Sequence, residues 1–146
     1  MVSTRLRNLR IILIALLVLL GSQYELGMVV NLSDTPTTAP VPSTIPAISA
    51  ALHKVGTVAV VHAAVGGVLL ILALVTLVMS LLSRVRLAQV FGGLAFLSML
   101  FAATGGLNFV LSGFQNDHST HSMATNFLLS FALYFVELYF LKPRAV

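Results

Sequence analysis

Four histidines carry most of the chemistry this chain can offer. His62 lies at the upstream end of the apolar stretch VAVVHAAVGGVLLILALVTLVMSLLS, and His118 and His121 open another apolar run; His53 stands in a more polar segment. An imidazole at the lip of a hydrocarbon span is costly unless something binds or satisfies it. Counted from the basic residue at the far end of each run, His62 is 22 positions from Arg84 and His121 is 21 from Lys142. Asn31 is 21 positions from Arg10, and Asn108 is 22 from Arg86. At about 1.5 Å per helical residue, all four side chains fall in one layer about 30 Å from the basic ends, the thickness of a bilayer's hydrocarbon core.

Helical angles of about 100° per residue narrow the choice. On one continuous helix His53 and His62 face opposite ways, which puts His53 in water and His62 inward beside Val55, Ala59, Gly66, Leu69 and Ala73. His118 and His121 share a face with Thr125, Leu128 and Ala132. The inward pair is then His62 and His121, with His118 in reserve one turn higher. Two imidazoles on facing helices are the ligand set of a six-coordinate haem b, since neutral nitrogen donors suit iron and the porphyrin supplies the other four. The pairs Gly66-Gly67 and Gly105-Gly106 would clear space for a porphyrin edge, and equally would let helices pack closely without any cofactor. Two other readings stand beside the haem. In one, the histidines simply bond to Asn31, Asn108 or water. In the other, His62, His118 and His121 hold copper or zinc, with Asp117 the one carboxylate in reach.

The elements that must position these residues are membrane helices. Apolar residues make up 58% of the 146, charged residues 8%, and mean hydropathy is +1.03; a soluble domain carries about 25% charge. The apolar periodicity predicts an all-α four-helix bundle, a single transmembrane domain with helices over about 9–32, 49–83, 87–111 and 120–141. The proline-rich segment 33–48 reads as an exposed loop. The first run follows Arg5, Arg7 and Arg10 as in a secretory signal, but its pattern continues past any cleavage site, so it is read as a retained helix. Seven of the eight Lys and Arg residues fall at the termini and the 84–86 turn, with only Lys54 on the other side. The positive-inside rule then predicts cytoplasmic termini and up-down connections in a multi-pass protein of the cell membrane.

Two segments carry a resemblance. GGLNFVLSGFQNDHSTHSMATNFLLSFALY looks like the third helix, outer loop and fourth helix of one half of haem A synthase, and VVHAAVGGVLLILAL is similar to that family's second helix. The resemblance spans about 100 residues and implies a four-helix unit with ligating histidines at His62 and His121. Ala63 and Ala59 stand where the family has an arginine and a catalytic glutamate, and the family's cysteine-containing loop is absent, so haem A synthesis itself is not implied. The pattern LGMVVNL, VHAAVGG, NFVLSG also resembles a group of uncharacterised small four-helix membrane proteins. Internally, LGMVVNL at 26–32 answers GGLNFVL at 105–111 as a weak repeat.

Two acids fall within spans. Glu25 reads as an amide-bonded or protonated group inside the bundle, or as a proton relay or quinone contact. Glu137 reads as snorkelling toward Arg84 or Arg86. With no cysteine, thiolate sites and covalent haem attachment are excluded. No phosphate loop, nucleotide fingerprint or hydrolase motif occurs, and the basic residues sit at helix ends, so no nucleotide or nucleic-acid partner is expected. Two functions are carried forward. One is a small b-type cytochrome in electron transfer; the other is a cofactor-free accessory subunit that binds a membrane protein partner or respiratory complex.

Overall fold

The computed structural model describes residues 2–32 and 39–141. These form five helices: α1 (Val2–Leu32), α2 (Ile45–Val55), α3 (Thr57–Leu82), α4 (Arg86–Leu111) and α5 (Asp117–Phe140). All but α2 are long and apolar enough to cross a membrane. The C-terminal residues 142–146, including the Lys142 used to count depth, and the first part of the proline-rich loop, 33–38, lie outside the described residues.

The helix expected over 49–83 is two helices. Gly56 has φ +130°, a conformation that favours glycine, and its backbone both ends α2 and begins α3. The break undoes the angular relation between His53 and His62, which assumed one continuous helix. The bounded helices start with local signals. Thr44 is extended and Pro46 occupies the first turn of α2, where no intrahelical N–H is needed. Asn116 caps α5 by accepting from the Ser119 N–H at 3.2 Å. The loop before α2 is pinned to the end of α4, with Val41 N–H donating to the Leu111 carbonyl at 2.9 Å.

The long helices pack in a ring: α1 on α3, α3 on α4, α4 on α5, and α5 on α1, while α2 rests on α3 and α4. Among the described residues the backbones of α3 and α5 do not meet, nor do those of α1 and α4. The α1 side of the core is a stripe of leucines, Leu9, Leu13, Leu16 and Leu20, spaced as one helical face. The opposite wall is small: Ala88, Gly92, Ala95, Ala102 and Gly105 on α4 let α5 come close. At Gly105 an added Cβ would lie 3.0 Å from both the Met123 N and the Ser119 carbonyl oxygen, so α5 backbone occupies that space.

Only 17–28% of each span's most apolar window is buried, and the outward faces carry Ile11, Val18, Ile71, Leu128 and Phe135. Inside, by contrast, sit Thr76, Ser80, Ser98, Ser130 and Glu137. The bundle is more polar within than without, as expected where the outer face meets hydrocarbon.

Candidate functional site

His62 sits in the second turn of α3 and turns its ring onto α1. Its ring lies over Gly27, where an added Cβ would be 3.1 Å from Cε1. One turn earlier on α1, Gln23 reaches between the helices. Its Nε2 donates to the His62 carbonyl at 3.0 Å and lies 3.3 Å from the ring Nε2. Gly66, one turn on from His62, makes room for the same amide, since an added Cβ would meet Gln23 Nε2 at 3.3 Å. The amide uses its hydrogens on these two acceptors, which assigns the ring proton to Nδ1. Nδ1 of His62 and Oε1 of Gln23 are then left, both buried and without a hydrogen-bond partner. Gln23 was not singled out by sequence reasoning. Its signal was available, because it continues the stripe of Leu13, Leu16 and Leu20 by three residues.

The other residues of the expected layer are not brought to His62. His118 and His121 are exposed on α5, together with Thr125, Leu128 and Ala132, so the α5 face read as inward is the outward one. The inward face of α5 carries Ser119, Ser130, Tyr134 and Glu137. Asn31 and Asn108 are also exposed. Gly105 and Gly106 face Met123 and Ser119 of the neighbouring helix and serve close packing there. As placed, these residues do not fit a porphyrin clamped between α3 and α5: one histidine is engaged by α1 and the other faces out. No group of three His, Asp or Glu converges among the described residues, so His62, His118 and His121 are not assembled for copper or zinc.

The two acids depart from expectation as well. Glu25 is exposed on α1, because the buried stripe through Leu20 and Gln23 turns position 25 outward. Glu137 is fully buried, while Arg84 and Arg86 are exposed. It shares the inward face of α5 with Ser130 and Tyr134, seven and three residues away, which fixes its direction more strongly than the pull of a nearby basic turn. Ser80 of α3 lies 2.5 Å from its Oε1. Comparison with known proteins finds no matching family model, no matching curated sequence and no matching solved structure.

Proposed function

We propose that this chain is a multi-pass protein of the cell membrane, an up-down bundle with both termini cytoplasmic, that works as a cofactor-free accessory subunit. Its partner would be a membrane protein that lays a transmembrane helix along α4 and α5. One observation carries this reading. A groove of about 300 Å³ on the outside of the bundle is lined by Leu94, Leu97, Phe101, Leu129 and Leu133 and holds one amide, Asn126. Asn126 donates to the Ser122 carbonyl at 2.9 Å, and Ser122 and Thr125 beside it are exposed. Asn126 lies five residues beyond His121, about 7 Å below the outer edge of the hydrocarbon by the depth count, so its amide is offered where lipid has no hydrogen bond to give. Amides in such positions join helices through hydrogen bonds.

The test is the size of the native assembly. Solubilised gently from its own membrane, the chain should run in a complex larger than itself, and Asn126→Leu should release it. If the parent chain runs alone, the accessory role fails.

The competing reading is the small b-type cytochrome with His62 and His121 as haem ligands. It is supported by one feature, the buried and unpartnered Nδ1 of His62, which would bind iron with the ring proton moved to Nε2 and the Gln23 amide turned to accept it. A reduced-minus-oxidised spectrum of the purified protein decides between the two, since haem bands would replace the cofactor-free reading.

A further inference from the structure

Glu137 carries the one buried carboxyl among the described residues. It is fully buried, its Oε2 has no hydrogen-bond partner, and Oε1 lies 2.5 Å from the Ser80 hydroxyl. Ser80 Oγ also lies 2.7 Å from the Thr76 carbonyl, one turn back on its own helix. A serine hydroxyl has one hydrogen and cannot donate to both oxygens. A carbonyl oxygen can only accept, so both contacts are hydrogen bonds only when the Ser80 hydrogen points to Thr76. The contact with Glu137 then needs a second hydrogen, and the carboxyl is its only source.

We propose that Glu137 is a proton-binding site, held as the neutral acid and donating its O–H to Ser80 Oγ. The chain of donors runs one way, from Glu137 to Ser80 to the Thr76 carbonyl. It ties α5 to α3 across the diagonal of the bundle, where their backbones do not meet. The remaining oxygen, Oε2, is a carbonyl of the acid rather than half of a carboxylate. An unpartnered neutral carbonyl is far less costly in a low-dielectric interior than an unpartnered charge.

The described residues around it offer no other ligand for this carboxyl. Gly92 of α4 closes the site: a methyl on its Cα would already lie 3.1 Å from Glu137 Oε2 and 2.9 Å from Ser80 Oγ, which leaves no room for a hydrated cation. On its own helix, Tyr134 is also buried, its hydroxyl without a partner. α3 presents Ser80, and Arg84 beyond its end is exposed; α4 presents Gly92, and its Arg86 is exposed. On α1 the ionisable residues Arg5, Arg7, Tyr24 and Glu25 are exposed, and Arg10 is half-buried with its Nε unpartnered. A proton is the ligand that fits. When it leaves, the Ser80 hydrogen must turn from Thr76 to the new carboxylate, so protonation sets the direction of the α3–α5 bridge.

Infrared spectroscopy of the protein in lipid nanodiscs at neutral pH tests this directly. The chain has only four carboxyl side chains, of which two are glutamates, so 13C-labelled glutamate separates the relevant band from aspartate. The expected result is one protonated-carboxyl C=O band that shifts with the label. It should be absent in Glu137→Gln, unchanged in Glu25→Gln and displaced in Ser80→Ala. Glutamate bands of the ionised form alone in the parent protein would overturn the proposal, and that measurement needs no variant to fold. A protonated band that survives in Glu137→Gln would overturn it too, and a band unmoved in Ser80→Ala would remove Ser80 as the acceptor.

Discussion

Gln23 holds His62 at two points, by donating to its carbonyl at 3.0 Å and by approaching its ring nitrogen at 3.3 Å. This one side chain joins α1 to α3 at the level where sequence reasoning placed a metal ligand. The glycines on either side, Gly27 and Gly66, make the join possible, and the two do not make it in the same way. At Gly27 a new methyl would press on the imidazole at 3.1 Å; at Gly66 it would meet the end of a flexible amide at 3.3 Å. Gly27→Ala should therefore lower bundle stability more than Gly66→Ala. Thermal unfolding in detergent measures the order, and equal effects would mean that the ring moves as freely as the amide.

Gly105 should be less tolerant than either. A Cβ there meets main-chain atoms of Met123 and Ser119 at 3.0 Å, and a helix backbone cannot turn aside as a side chain can. Gly105→Ala is expected to cost about 1–3 kcal/mol by forcing α4 and α5 apart. Gly93→Ala on the same helix meets nothing within 4 Å and should stay within about 0.5 kcal/mol of the parent. The pair, measured together, separates tight packing from a general intolerance of change in α4.

Apolar run length made the four spans legible, because a stretch that must cross hydrocarbon leaves few alternatives. The break at Gly56 was not legible, since a glycine inside an apolar helical pattern reads through unless its φ is known. The helical angle found the inward face of α3: Ala59, Leu69 and Ala73 are buried as expected. The same reasoning turned α5 the wrong way. It took histidine as the inward mark, whereas Ser130, Tyr134 and Glu137 are the buried residues there and Leu128 is exposed. Spacing alone does not separate the two faces, since His118, His121 and Thr125 are exposed at the same three- and four-residue spacing as the buried Ser130, Tyr134 and Glu137. The buried set differs in lying further along the apolar run, where a polar side chain on the outside would face hydrocarbon.

Gly56→Ala tests the break itself. A residue with Cβ is strained at φ +130°, so the substitution should either cost more than about 1 kcal/mol or drive α2 and α3 into one helix. Helix continuity raises helical content by circular dichroism, and strain lowers the unfolding temperature. A variant unchanged in both would show that the turn does not depend on the glycine.

The charge asymmetry predicts which loops face out. Single cysteines at Ser43 and Gln115 should react with an impermeant thiol reagent applied to intact cells, and one at Val85 should not. The chain has no cysteine of its own, so the background is clean. Labelling at Val85 from outside would invert or discard the topology.

His62 and His121 provide the last comparison, because the two functional readings assign them opposite relations. Held as a pair on one cofactor, they should be equivalent, and loss of either should have the same consequence. In this structure they are unlike: His62 is half-buried and bonded to Gln23, while His121 is exposed on α5. His62→Ala leaves a gap over Gly27 and removes one acceptor from a buried amide whose own oxygen is already unpartnered, an effect of about 1–3 kcal/mol. His121→Ala removes an exposed ring and should change stability by less than about 0.5 kcal/mol. Thermal unfolding of both variants in the same detergent gives the comparison. Matched losses, each accompanied by loss of visible absorbance, would restore the two-histidine cofactor; a loss confined to His62 assigns that histidine to the joint between α1 and α3.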